Sequence, residues 1–113
     1  DFDPAMVAGY RQNLPNSDVL IADATAVPVC DHAIDAVVTD LPYGQSVRIR
    51  AESMDRLYDG SLAEIRRILK PGRRAIVVTH RDITDIAARH FTVLQEHEQR
   101  VHKSLTRRIL VLA

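Results

Sequence analysis

The sequence predicts an α/β fold whose sheet is mostly parallel and ends in an antiparallel pair of strands. Short apolar runs alternate with segments of helical periodicity, a pattern that favours parallel strands joined by helices. The last two apolar runs are joined only by a short polar turn, which favours an antiparallel hairpin. With 113 residues, 46% of them hydrophobic, the chain can bury a core as one domain over residues 1–113.

The first predicted element is a helix that begins at Asp3 and Pro4. Aspartate caps the N–H groups of a first turn, and proline fits the first helical position. Apolar residues then repeat every four positions and predict one buried face: Met6, Tyr10 and Leu14. Pro15 ends the helix.

Five apolar runs are predicted to be strands. They cover residues 19–22, 33–39, 75–79, 91–98 and 108–113, with a turn near residues 102–104 between the last two. Two apolar stripes of helical period predict helices over residues 57–69 and 83–87. Residues 44–54 show no clean period and are interpreted as a loop.

The composition limits the classes of protein to which this chain can belong. No apolar run approaches the roughly 18 residues of a membrane-spanning helix. The single cysteine, Cys30, permits no internal disulfide and is typical of a reducing compartment. The beginning of the sequence lacks the basic and then apolar pattern of a signal peptide. We therefore expect a cytoplasmic protein.

Charge is distributed unevenly although the net charge is zero. Residues 1–40 contain seven acids and one base, whereas residues 41–113 contain fourteen bases and eight acids. Clustered Arg and Lys attract phosphates, so the asymmetry is compatible with a nucleic-acid surface beside an acidic pocket. Ordinary solvated helix faces would give the same counts, and the charge pattern alone leaves both interpretations open.

Polar side chains recur where predicted strands end. Asp23, Asp40 and the pair Thr79-His80 each follow an apolar run. Ligands of parallel α/β sheets bind outside the carboxyl ends of the strands, so this edge is the predicted site. Each aspartate taken singly could instead cap a helix or a turn. No pair of histidines has the spacing of metal ligands on a helix, and no metal is expected.

The most informative stretch is Asp40-Leu41-Pro42-Tyr43, followed by Gly44. The Asp40 carboxylate and the backbone carbonyl next to Pro42 can accept the two N–H bonds of an exocyclic amine. Tyr43 can stack on the planar group that carries the amine. The predicted catalytic residues are therefore Asp40, Pro42 and Tyr43, with a structural role as the alternative for the Tyr43 ring.

These residues together resemble the Rossmann-fold S-adenosylmethionine-dependent methyltransferases that modify exocyclic amines. Asp40-Leu41-Pro42-Tyr43 is similar to their catalytic motif, and Ala22-Asp23-Ala24 to the motif whose acid bonds the adenine amine of the cofactor. Asp1 matches the acid that bonds the ribose. The resemblance implies S-adenosylmethionine as cofactor, with contacts from Asp1, Asp23 and Asp40. Leu41 replaces the usual proline, which implies a less rigid loop.

A second segment narrows the resemblance. His102-Lys103-Ser104-Leu105-Thr106-Arg107, taken with the Asp40 motif, is similar to the archaeal-type tRNA guanine-N2 methyltransferases that act at position 10 and carry an RNA-binding THUMP region. This implies tRNA as the partner, methyl transfer to guanine N2, and RNA phosphate contacts from Lys103 and Arg107. Arg108 is a further candidate for such a contact. Amino groups of DNA or ribosomal RNA are the alternative substrates, and a plain solvated turn is the alternative for these side chains.

In that family a first strand and a Gly-rich turn come before the segment that begins here at Asp1. The chain is therefore interpreted as the C-terminal portion of a class I methyltransferase domain that lacks this strand and turn and is inactive alone. One edge of the strand 33–39 would then be unpaired. We expect either the chain's own first strand to move onto this edge or a second copy to pair there as a homodimer. A non-catalytic, self-associating fragment is the remaining alternative.

Overall fold

The computed structural model describes residues 3–13, 16–41 and 51–113, and within them seven helices and strands define the fold. In chain order these are α1 (Pro4–Asn13), β1 (Val37–Asp40), α2 (Ala51–Ile68), β2 (Ala75–Thr79), α3 (Thr84–Ala88), β3 (Val93–His102) and β4 (Leu105–Leu112). None of these helices combines the length and the apolar character that crossing a membrane requires.

The four strands of the described residues form one mixed sheet in the order β1-β2-β4-β3. β1 and β2 are parallel, whereas β4 is antiparallel to both of its neighbours, β2 and β3. Three of the four strands therefore run in one direction and β4 opposes them. The α/β class, the common direction of most strands and the antiparallel C-terminal pair are confirmed.

The core lies between α2 and α3 and one face of the sheet. The strands contribute alternate residues to it, since successive side chains of a strand point to opposite faces. The largest fully buried side chains are Tyr58, Leu62, Leu69, Val77, Thr79, Ile83, Leu110 and Leu112. On the other face of the sheet, Val38 is 75% exposed.

Helix α1 begins as predicted but buries a different face. The backbone N–H of Ala5 donates to Asp3 Oδ1 at 2.9 Å, which confirms Asp3 as the cap. Val7 is buried, whereas Met6 and Tyr10 are 47% and 39% exposed. The helix is thus rotated by about one residue, roughly 100°, from the predicted face. Leu14 lies outside the described residues.

Helix α2 is confirmed and begins earlier than predicted. Its buried stripe starts at Met54 and continues through Tyr58, Leu62 and Ile65 at helical spacing. The loop predicted over residues 44–54 is therefore wrong for residues 51–54, because Met54 adds one more turn to the apolar stripe. Residues 44–50 lie outside the described part of the chain.

The strand predicted over residues 19–22 is wrong. This segment forms no strand, and Leu20 and Ile21 are 42% and 53% exposed. A strand needs a neighbour to bond its backbone groups. Within the described residues, the sole ladder contact of this region is an isolated bridge between Asp23 and Ala26, inside its own turn.

Strand β1 is shorter than the predicted strand 33–39. At the start of that segment, Ile34 bonds the last turn of α2 instead of β2: its N–H donates to Ile68 O at 2.9 Å. The sheet order places β1 at one edge, with β2 as its single partner among the described strands. The expected movement of the chain's own first strand onto this edge is not found there. Pairing with a second copy stays a prediction.

Gly72 closes the turn after α2 in a left-handed conformation, with φ at 78°. A Cβ at this position would meet no atom within 4 Å, so the cost of Gly72→Ala is backbone strain alone. We expect a loss of about 1–2 kcal/mol in the free energy of unfolding, measured by urea denaturation. Gly9→Ala is the matched control, because Gly9 lies inside α1 with equally open space and should gain up to about 1 kcal/mol. Equal effects of the two substitutions would contradict the argument.

Candidate active site

Asp40 is the last residue of β1 and stands at the carboxyl edge of the sheet. It lies opposite Val78 of β2 in the parallel register. The next residue fixes the end of the strand, because the Leu41 N–H donates to Val78 O at 2.9 Å and its side chain is buried. Asp40 itself is exposed. Its predicted companions Pro42 and Tyr43, and the predicted ribose ligand Asp1, lie outside the described residues.

The end of β2 brings a cation to the same edge. The Arg81 N–H donates to the Thr79 hydroxyl at 3.2 Å, which shapes the turn just past the strand. The Arg81 guanidinium lies 5.9 Å from the centroid of the Tyr58 ring and 3.3 Å from Asp55 Oδ1. Arg81 is therefore held just past the carboxyl end of β2 by two partners on α2. No local pattern in the sequence marks Arg81 as part of this edge.

Tyr58 of α2 is fully buried and contacts residues at the carboxyl end of β2. Burial raises the pKa of its phenol, against the opposing effects of the nearby Arg81 guanidinium and a hydrogen bond with Thr79. The phenol is consequently neutral at physiological pH and acts as a packing and hydrogen-bonding group. In the sequence, Tyr58 is one of several apolar residues at helical spacing, and no further sequence signal distinguishes it from the others.

Asp23 lies in a tight turn and presents an ionised carboxylate. Its Oδ1 accepts hydrogen bonds from the Thr25 N–H at 2.8 Å and the Thr25 hydroxyl at 2.6 Å. These bonds hold the pKa of Asp23 below its ordinary value. The exposed carboxylate can accept a further N–H bond, which suits recognition of an exocyclic amine.

An apolar groove of about 250 Å³ connects the segments that carry the two aspartates. Ala24, next to Asp23, lines one wall, and Leu41, next to Asp40, lines the other. Ser61 and Ile65 of α2 are also in the lining. The Asp23 turn and β1 therefore share one groove, which runs along the strand from Val37 to Leu41. The site residues predicted for the carboxyl edge stay predictions.

A half-buried ion pair fixes the Asp23 loop to α2. Glu64 Oε2 accepts the Val27 N–H at 2.6 Å, and Glu64 Oε1 accepts Arg67 Nε at 2.6 Å. The Arg67 guanidinium also donates to Val27 O and Val29 O, both at 2.8 Å, and to Asp31 at 2.7 Å. We call Glu64 and Arg67 the loop clamp.

The loop clamp was also missed from the sequence. Glu64 and Arg67 stand three residues apart on a predicted helix, a spacing typical of an ordinary surface pair. Their loop partners lie more than 30 residues away along the chain, so only the fold shows the contact. The described residues contain no group of three His, Cys, Asp or Glu able to hold a metal ion.

The fold described above is also found in known proteins that this chain resembles. Residues 1–109 match the family model described as UPF0020, RMKL-like, methyltransferase domain. The chain belongs to this methyltransferase family. It is 31% identical over 119 residues to a tRNA (guanine(10)-N2)-dimethyltransferase of Methanothermobacter thermautotrophicus, an alignment that covers 99% of this chain and 35% of the relative. The chain thus spans about a third of the length of that curated relative.

Solved structures show the same fold. TrmN from Thermus thermophilus superposes with a TM-score of 0.77 at 21% identity, covering 99% of this chain and 34% of TrmN. A TehB-like SAM-dependent methyltransferase from Corynebacterium glutamicum gives a TM-score of 0.73 at 17% identity, covering 100% of this chain and 65% of that protein. The Rossmann-like methyltransferase fold expected from the sequence is confirmed.

The methyltransferase family and its fold neighbours imply S-adenosylmethionine as the cofactor. The described residues fit the adenosine end of that molecule. Asp23 offers an ionised acceptor for the adenine amine, and the apolar wall beside it, including Ala24 and Val27, suits a planar ring. The individual contacts of Asp1, Asp23 and Asp40 stay predictions.

Gly60 lets α2 of the methyltransferase domain approach the Asp23 turn closely. A Cβ on Gly60 would lie 3.0 Å from Thr25 Cγ2, whereas alanine would otherwise favour the helix by about 1 kcal/mol. We therefore expect Gly60→Ala to stabilise the protein only when combined with Thr25→Ser, which removes that methyl group and keeps the hydroxyl. A double-mutant cycle of unfolding free energies measures the coupling. Additive effects of the two substitutions would rule out this contact.

Lys103 and Arg107, the predicted RNA contacts, lie outside the groove. Lys103 is in the turn between β3 and β4, and Arg107 is in β4. Neither residue lines the groove beside Asp23 and Asp40, and their contact with RNA stays a prediction.

Proposed function

We propose that the polypeptide containing this chain transfers a methyl group from S-adenosylmethionine to the exocyclic amine of a nucleobase, most specifically guanine N2 in tRNA. The observation that carries the proposal is the position of Asp40, which is exposed at the carboxyl edge of β1. A groove along β1 is lined by the chain neighbours of both aspartates, Leu41 after Asp40 and Ala24 after Asp23. The name of the 31% identical relative supports guanine N2 of tRNA as the target.

Asp40 has the chemistry to hold an amine. Its carboxylate accepts one N–H bond of the exocyclic NH₂ group, and the carbonyl next to Pro42 accepts the other. The two bonds fix the plane of the base so that the nitrogen lone pair points towards the groove. Tyr43 stacks on the face of a base that has left its helix.

The reaction is a direct displacement. When bound, S-adenosylmethionine supplies a methyl group on a sulfonium whose C–S bond breaks as the N–C bond forms, leaving a neutral thioether. The amine nitrogen gains positive charge during this step and then releases one proton to solvent water. Asp40 stabilises that charge because its carboxylate already faces the N–H bond. Positioning of this kind can contribute about 7–11 kcal/mol to lowering a barrier.

Substitution of single atoms in the RNA tests the proposed target. The polypeptide containing this chain is incubated with labelled S-adenosylmethionine and two tRNA transcripts, which carry guanosine or inosine at position 10. Inosine lacks the 2-amino group. We expect N²-methylguanosine by nucleoside mass spectrometry from the first transcript and no label in the second. Equal labelling of both transcripts, or labelling of DNA in preference to RNA, would contradict the proposed target.

A further inference from the structure

The hairpin of β3 and β4 extends past the edge of the sheet on which Asp40 lies. Arg108 of β4 is opposite Thr79, the last residue of β2. Because β4 is antiparallel to β2, residues 105–107 lie beyond the end of β2, by about 10 Å for three extended residues. The turn at Lys103 and Ser104 is farther out still. The tip therefore projects from the carboxyl edge that carries the candidate site.

The tip has an ordered shape. The register shifts between Arg100 and His102, so that Val101 is an extra residue in β3 and bends the strand. His102 Nδ1 lies 3.3 Å from the Ser104 N–H and 3.2 Å from the Ser104 hydroxyl, contacts that hold the turn together. A folded turn presents its side chains at a lower cost in entropy than a flexible tail.

The tip is also purely basic. Residues 99–107 contain two arginines, one lysine and no acid. In the described part of the chain, none of the three cations is ion-paired: Arg100 contacts the Lys103 carbonyl at 3.5 Å, and Arg107 contacts the neutral Gln99 at 3.3 Å. We call Arg100, Lys103 and Arg107 the tip cations.

Arg108 differs from the tip cations although it is adjacent to them. Its Nη1 lies 2.7 Å from Glu98 and 3.8 Å from Glu96, so its charge is compensated within the hairpin. Lone cations attract phosphate, and the counterions that they release from a nucleic acid make binding sensitive to salt. An arginine already paired with carboxylates contributes less to that attraction.

We infer that the tip cations form a docking surface for the sugar-phosphate backbone of the RNA, on the strand that flanks the target nucleotide. This inference rests on the proposed function, because it takes the Asp40 edge as the place where the base is held. It adds to that function a second contact with the substrate, which lies outside the groove and is made by the hairpin of β3 and β4. The contacts position the RNA and do not read its sequence.

An RNA-binding assay tests the inference. The affinity of this chain for a labelled 12-nucleotide single-stranded RNA is measured by fluorescence anisotropy at a series of salt concentrations. The combined variant Arg100→Gln, Lys103→Gln and Arg107→Gln should weaken binding at least tenfold at low salt. It should also reduce the slope of log K against log salt by about 2, since each phosphate contact to a single strand contributes roughly 0.7. Circular dichroism checks that the variant is folded.

Two controls separate this surface from a general effect of charge. Arg73→Gln with Arg74→Gln removes two exposed arginines from the amino end of β2, at the opposite edge of the sheet, and should leave the slope unchanged. Arg108→Gln should have less effect than any tip substitution. An equal loss from the Arg73 and Arg74 pair, no binding by the unmodified chain, or tighter binding of a DNA strand of the same sequence would overturn the inference.

The binding and methylation assays together distinguish a failure of the docking surface from a failure of the proposed function. If the tip variant binds RNA normally while guanosine at position 10 is still methylated, the docking surface is wrong and the function stands. If RNA binding depends on the tip cations but no methyl transfer to guanosine is found, the docking surface stands and the proposed reaction is wrong.

Discussion

Asp40→Asn in the polypeptide containing this chain is expected to lower kcat for methyl transfer to RNA by about 10²–10³-fold. The amide keeps the size of the side chain but loses the negative charge that, in the proposed reaction, faces the developing positive charge on the amine nitrogen. It also offers one acceptor oxygen where the carboxylate offers two. RNA binding should change little, because the proposed phosphate contacts are made by the tip cations and not by Asp40. The loss should therefore appear in kcat and not in KM for RNA.

Asp35→Asn provides the matched control. Asp35 lies just before the amino end of β1, two residues ahead of Val37, and its side chain is 70% exposed in an ion pair with Lys70. It carries the same charge as Asp40 and lies beside the same strand, but at the opposite edge of the sheet. We expect kcat within about twofold of the unmodified protein, because a surface ion pair contributes little. Methylation at an unchanged rate by the Asp40→Asn protein would remove Asp40 from the mechanism.

The position of Asp40 was predictable from the sequence because two local signals agree there. An apolar β-branched run predicts a strand, and the acid after it falls at the carboxyl edge whichever neighbour the strand takes. The amphipathic helix α2 and the two C-terminal strands were predictable for the same reason: their pattern is contained within each segment. The structure adds Met54 to α2 because burial, not the period alone, decides where the helix begins.

Features that depend on distant partners were not predictable. Residues 19–22 have the composition of a strand, but a strand exists only where another strand bonds to it. Glu64 and Arg67 resemble a surface pair until the fold brings the carbonyls of Val27 and Val29 to them. Arg81 likewise acquires its place from Tyr58 and Asp55, which are on another element. For the loop clamp and Arg81 the missing information is a contact across more than 20 residues. For residues 19–22 it is the lack of a neighbouring strand among the described residues.

The loop clamp leads to a prediction about acid stability. Hydrogen bonds from Arg67 and then from the Val27 N–H lower the pKa of Glu64 from its ordinary 4.5 to about 2 in the folded protein. A group whose pKa is depressed by folding stabilises the protein above its unfolded pKa, and that contribution is lost as the pH falls through the folded pKa. The stabilisation by Glu64 should therefore be complete above about pH 4.5 and disappear towards pH 2.

Glu64→Gln should consequently lower Tm at pH 7, and the difference in Tm from the unmodified protein should shrink steadily between about pH 4.5 and pH 2. Thermal unfolding followed by circular dichroism over this range measures the difference. The Tm of the variant must be compared with that of the unmodified protein at each pH, because other carboxylates also lose stabilising bonds in acid. Folding lowers the pKa values of four of them: Asp23, Asp35, Asp59 and Asp82. Glu98→Gln, which removes a 58% exposed carboxylate paired with Arg108, should change Tm little throughout.

The loop clamp should also control the Asp23 turn, since Val27 is four residues from Asp23 and both its N–H and its carbonyl are held by the clamp. Arg67→Met removes every side-chain bond from α2 to the loop carbonyls, and amide exchange at Val27 should accelerate about tenfold or more. Arg67→Lys keeps the charge but not the fork of donors, so it should restore only part of the protection. Protection at Val27 that survives Arg67→Met would show that the bond from the Val27 N–H to Glu64 holds the loop without help from Arg67.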